Sequence, residues 1–240
     1  MTNQAGIENS ESIINQAGMG NSQSVTNSSA IAPPDAQLQY RAIGLVRGQY
    51  IPSTENFNQG ILLLEDDNTV APANIVSGST AHYLKKHEDL LSKSHVWLVY
   101  PRTKLQPPYL RLIVTALRSK GAPSEGDYFS VRGTIVGQDL EAGKFVVRVD
   151  RNADASDEKK KPKDKKHFLL TIQGKLPQEK AKGQFWDLNL GRDKDQLILK
   201  EDSDATFVAQ VFEPKPKNKK KRKKRRRSKA KKPNSSEIST

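Results

Sequence analysis

Between Lys215 and Lys232 the chain carries fourteen Lys and Arg and no acid. They are Lys215, Lys217, Lys219, Lys220, Lys221, Arg222, Lys223, Lys224, Arg225, Arg226, Arg227, Lys229, Lys231 and Lys232. Like charges at this density repel one another and cannot fold alone, so the segment is expected to be disordered. Its available chemistry is the capture of a polyanion, because each cation that meets a phosphate releases condensed counterions. If about half of the tail engaged, log K would fall with log salt at a slope of about −5 to −6. The plainer uses of such a run are solubility or, in a nucleated cell, an address.

The chain as a whole has 40 Lys and Arg against 27 Asp and Glu, a formal net charge of +13. Without the tail's fourteen, 26 basic residues face 27 acidic ones, so the excess belongs to the tail and the body is nearly neutral. Within the body, Arg132 and Arg148 fall between apolar residues of alternating runs and are expected on the outer faces of strands. Lys159, Lys160 and Lys161 open a Lys-rich stretch that continues through Lys163, Lys165 and Lys166. Tyr100, Tyr109, Tyr128, Phe185 and Trp186 are the aromatics on which bases could stack beside such cations, at about 1–3 kcal/mol per base. The simpler reading of these aromatics, and of Trp97, is packing within a core.

Catalytic chemistry finds little support. There is no Cys, hence no disulfide, thiolate metal site or thiol nucleophile. His82, His87, His95 and His167 lack metal-ligand spacing. Glu65-Asp66-Asp67 could attract a divalent ion but reads first as a turn. No phosphate-cradling Gly loop or nucleophile elbow is present, so the expectation is a non-enzyme without cofactor or metal.

The elements that must position these residues divide the chain into four. Residues 1–36, rich in Asn, Gln, Ser and Gly with no Lys or Arg, read as a disordered polar leader without a signal-peptide pattern. Residues 37–120 alternate as strands at Tyr40–Tyr50, Ile61–Leu64, Val96–Tyr100 (ended by Pro101) and Leu110–Leu117. One helical window, Thr80–Ser94, places Tyr83, Leu84, His87, Leu90 and Leu91 on one face, with Ser79 or Thr80 as N-cap.

Residues 127–213 read as all-β. Phe129, Val131 and Ile135 share a parity, as do Phe145, Val147 and Val149, then Phe168, Leu170 and Ile172, then Trp186, Leu188 and Leu190, and finally Phe207, Ala209 and Val211. Asp139–Gly143 is a hairpin turn, Gly133 suits a barrel corner, and 152–166 is a basic loop between the second and third strands. Residues 214–240 are the tail.

These two β-rich segments resemble OB-type small β-barrel nucleic-acid-binding proteins, and the order of leader, β body and basic tail resembles that of conserved cyanobacterial proteins. The resemblance implies a mainly β fold of two OB-type barrels, the first with one helix, flanked by disordered termini. The second segment departs from the OB pattern in having no helix between its third and fourth strands. The expected function is non-catalytic binding of RNA or single-stranded DNA, held by the tail with support from the barrels. The alternative is a protein-interaction adaptor whose barrels bind a protein and whose tail tethers it to an RNA-rich or acidic assembly. Attachment to an anionic membrane is disfavoured, because no amphipathic helix or lipidation signal accompanies the tail. The expected location is the cytoplasm or nucleoid, or the nucleus or nucleolus in a eukaryote.

Overall fold

The computed structural model describes residues 31–118, 126–152 and 167–211. Their alternating apolar residues form eleven strands among the described residues. Five build a first barrel: β1 (Arg41–Pro52), β2 (Gln59–Leu64), β3 (Val70–Ile75), β4 (His95–Thr103) and β5 (Leu110–Arg118). The order is β1-β2-β3-β5-β4, with β3 and β5 parallel and β4 closing back onto β1. Five more build a second: β6 (Tyr128–Asp139), β7 (Lys144–Asp150), β8 (His167–Gln173), β9 (Gln184–Asp193) and β10 (Gln196–Ile198). Its order, β6-β7-β8-β10-β9 with β8 and β10 parallel and β9 closing onto β6, repeats the first. β11 (Ala205–Gln210) adds to the outer edge of β9. Both are OB-type barrels, closed so that no inner edge is left unpaired.

The barrels share one sheet. Arg41–Leu45 of β1 pairs antiparallel with Tyr128–Arg132 of β6, while β1 also pairs β4 and β6 also pairs β9. Phe129 lies over Gly44, where any Cβ would collide with its ring, and a single buried cluster runs from Tyr50 and Trp97 to Trp186 and Leu188. The turn at Gly133 has a counterpart at Gly48. At Gly48 one edge of β1 has left β6 for β2, and past Gly133 one edge of β6 has left β1 for β7. A Cβ at Gly48 would come 2.4 Å from the Leu63 carbonyl oxygen, and one at Gly133 would come 2.5 Å from that of Arg148.

Several elements depart from their expected bounds. The helix α1 (Gly78–Lys86) is capped by Ser77, whose side chain accepts from the Thr80 amide, so neither Ser79 nor Thr80 is the cap. It stops at Lys86, and Leu90 and Leu91 reach the core from a separate 3-10 turn, Glu88–Ser92. Its buried residues are Thr80, Ala81 and Leu84, whereas Tyr83 is exposed and stacks on His87. β4 runs through Pro101, which stands opposite Leu112 of β5 beyond Val99, where pairing with β1 ends. Phe207 is 44 % exposed, since β11 lies against only one neighbour and covers Trp186 edge-on.

Between β8 and β9 no helix forms, yet the strand order is intact. Leu176 and Ala181 enter the core from that loop, held by the Ala181 amide donating to Gln138 Oε1 and by Gln138 Nε2 donating to the Gln178 carbonyl. Residues 31–36, expected to belong to the leader, instead pack on the body. Ile31 is buried with Leu45, Val96 and Tyr128 on the outer face of the shared sheet.

Replacing Gly133 by Ala should lower stability by about 1–3 kcal/mol, because the methyl meets backbone that cannot retreat. Gly137→Ala in the same strand should be close to neutral, since its nearest neighbour, Val146 Cβ, is 3.9 Å away. Urea midpoints of the two variants check the contrast.

Candidate nucleic-acid interface

OB barrels commonly bind along the face of their second and third strands. In the first barrel those strands, β2 and β3, contain no Lys or Arg. Their outer residues include Ile61, Leu63, Val70 and Pro72, because Leu62, Leu64, Ala71 and Ala73 take the inner positions. In the second barrel the outer face of β7 and β8 carries Lys144, Arg148, Leu169 and Thr171. Lys144 sits 3.9 Å from Asp139, and Arg148 is half-buried with Nη2 3.2 Å from Asp150. Asp150 pairs with His167, so β7 and β8 are antiparallel neighbours on either side of the Lys-rich stretch in the sequence. Lys159, Lys160 and Lys161 lie outside the described residues, as do the tail cations and residues 1–30 of the leader.

Arg132 does have the outward parity its neighbours imply, but the outer face is itself covered. Its guanidinium is buried, 3.1 Å from Asp187, and donates to the carbonyls of Ala36 and Gln37. Arg41, directly opposite it, donates to Ser130 Oγ and the Ala32 carbonyl. This arginine pair anchors residues 31–37 across the sheet, with Arg132 buried and Arg41 half-buried. Burial holds the Arg132 guanidinium below its usual range, with Asp187 opposing.

Among the aromatics, Phe185 and Trp186 are core residues. Tyr128 is buried and donates to Asn189 Oδ1, and its phenol is raised by burial. Trp97 is likewise core, donating to the Gly48 carbonyl. Tyr109 is half-buried, its amide held by Asp195 of the second barrel. Tyr100 is 40 % exposed.

The acidic turn serves the junction of the barrels. Arg192 on β9 is almost wholly buried, with Nε on Asp127 and Nη1 2.9 Å from Asp67. Asp127 also accepts from the Arg47 amide, and Glu65 pairs with Arg47 at 3.7 Å. Burial pushes the Asp127 carboxyl up, against the charge and hydrogen bond of Arg192. At Asp67 burial also raises, but the hydrogen bonds from Arg192 and Thr69 outweigh it and the carboxyl lies below its usual range. No cluster of three metal-ligating side chains occurs among the described residues.

A second pair of opposed arginines, not singled out in the sequence, lies where β4 and β5 meet the second barrel. Arg102 and Arg111 are directly opposite on antiparallel strands, both half-buried, with Tyr100 two residues along and Ile113 opposite it. The Arg102 guanidinium carbon lies over the Phe168 ring of β8, 3.5 Å from its centre. Its Nη1 donates to the Pro101 carbonyl, and the neighbouring Thr103 hydroxyl accepts from the Thr171 amide. Burial lowers the Arg102 guanidinium, with Tyr100 opposing. Nothing in the alternation of either segment marks this site, because it exists only when two strands and two barrels meet.

Two family models cover these barrels. Residues 42–124 match the description "PatR RNA-binding protein, N-terminal OB-fold domain", and residues 131–206 match "Cyanobacterial OB-fold-like RNA-binding domain, C-terminal". Together the matches span about two-thirds of the chain. Each barrel thus matches an OB-fold RNA-binding domain family. No match was found among curated proteins.

In this pair of OB-type barrels the Arg192 node is expected to govern acid stability. A carboxyl held low in the folded state stabilises above its unfolded value, about pH 4, and that contribution is lost as pH falls through the folded value. Asp67→Asn should therefore lower the urea midpoint at neutral pH and flatten its decline toward pH 3. Arg192→Met should cost about 3–5 kcal/mol, because it leaves Asp127 buried without its cation.

Proposed function

We propose that the chain is a non-catalytic RNA-holding protein in which the barrels contact a single strand and the tail of Lys215–Lys232 supplies most of the electrostatic attraction. The observation that carries this reading is that both barrels match RNA-binding OB-fold families, each with complete OB strand order. The charge distribution agrees: a neutral body offers surfaces for bases and sugars, while the tail holds phosphate wherever the strand leads. The setting that fits is the cytoplasm or nucleoid. Single-stranded DNA is the competing ligand, since a tail that works by counterion release does not read the sugar.

The apolar β2–β3 face supports a second reading. Val70 on that face and Ile51 beside it on β1 are 49 % and 40 % exposed, so a protein could dock on the first barrel while the tail tethers the assembly to RNA.

Fluorescence anisotropy with labelled oligouridylate distinguishes the two. The full chain should bind tightly at low salt with a slope of about −5 to −6 or steeper. Deleting residues 215–240 should leave weaker binding with a shallower but non-zero slope. A deleted chain that binds no RNA at low salt would remove the barrels from RNA contact and leave the adaptor reading.

A further inference from the structure

Two opposed arginine pairs occur on the described strands, and they solve the same electrostatic problem differently. Like charges directly opposite on neighbouring strands destabilise a sheet unless something of opposite charge intervenes. For Arg41 and Arg132 the intervening group is internal: Asp187 on β9, together with the carbonyls of Ala32, Ala36 and Gln37. For Arg102 and Arg111 there is none among the described residues. Arg102 has only the Pro101 carbonyl and the Phe168 ring, and Arg111 has no hydrogen bond or ion pair with them.

A guanidinium packed over a ring still has N–H groups with which to donate, and a phosphate accepts from such a fork. Stacking also fixes the side chain, so less rotamer freedom is lost when the anion arrives. Tyr100 stands on the same face, about 6.7 Å along the strand from Arg102 and within one nucleotide's reach. The neighbouring β2–β3 face has Ile61, Leu63 and Pro72 but no cation with which a phosphate could pair.

On the reading that the chain holds RNA, we propose that Arg102 and Arg111 form a phosphate subsite for a single strand lying along β4 and β5, with the adjoining base stacked on Tyr100. The strand then lies over the Arg102–Phe168 contact and bridges the two barrels. This places RNA away from the usual face of the first OB barrel, on the seam that only the paired barrels create.

The test is binding of labelled oligouridylate by the full chain as salt is varied, with urea midpoints recorded for each variant. Arg111→Gln should make the salt slope shallower by about 0.7, and the double variant with Arg102→Gln by about 1.4, one unpaired phosphate for each lost cation. Tyr100→Ala should weaken binding about 5-fold or more with the slope unchanged, as loss of one stacked base requires. Arg102 also touches the second barrel, so its variant could lose stability. Arg111, which has no described partner, gives the reading free of that effect. If Arg111→Gln and Tyr100→Ala both bind as the unaltered chain does, the subsite is wrong while RNA holding stands. If the unaltered chain ignores the RNA at low salt, the functional reading falls and the subsite falls with it.

Discussion

β1 gives one edge first to β6 and then to β2, while its other edge pairs β4. β6 does the same with β1, β7 and β9. This double use of two strands makes one body of two barrels. It requires that β1 and β6 bend where each changes partner, which is why Gly48 and Gly133 stand with backbone carbonyls where side chains would project. It also requires that both faces of the shared sheet be covered. The inner face is covered by Phe129 and the joined cores. Residues 31–37 strap the outer face, drawn down by Arg41 and Arg132 and sealed by Ile31. The Arg192 node with Asp67 and Asp127 then ties the far ends of the barrels together, and removing water from these charges is tolerable only because each faces its counter-charge.

Much of the β pattern was legible because one face of most strands is dry. Phe145, Val147 and Val149, or Trp186, Leu188 and Leu190, reveal their strand through parity alone. The turn of Asp139–Gly143 was legible for a local reason: Gly143 adopts φ +57 and Asp139 accepts from the Ala142 amide. Parity says which residues point together, but not whether the outer face is wet. Arg132 illustrates the difference, for its outward direction was correct and its exposure was not. The strap that buries it comes from a segment whose composition suggests no order at all. Helix bounds were less legible because Leu90 and Leu91 sit at helical spacing from Leu84 yet reach the core from a different turn.

The candidate interface was the least legible part, and the reason is physical. Arg102 and Arg111 are separated by a loop through Pro107 and Pro108, and Phe168 lies in the other barrel. None of the three stands out by composition. Their relation arises from the β4–β5 register and from the approach of β4 to β8, both products of long-range pairing. The tail is the opposite case: its chemistry is visible in composition alone, since it depends on charge density and not on a partner elsewhere in the fold.

That contrast suggests a division of labour between the two kinds of cation. On the proposed reading a tail charge would contribute attraction, rapid capture and steep salt dependence, with little preference for position. Fixed guanidiniums contribute less in number but define where a phosphate stands, because stacking and strand register have already restricted them. A body with 26 basic and 27 acidic residues exerts no long-range pull of its own, so a few unneutralised cations at the seam are not lost in a general positive field. On the proposed reading, even two of them would set the register of a strand that the tail had brought near. A uniformly basic body would capture RNA more strongly, yet it would hold the strand in many places at once.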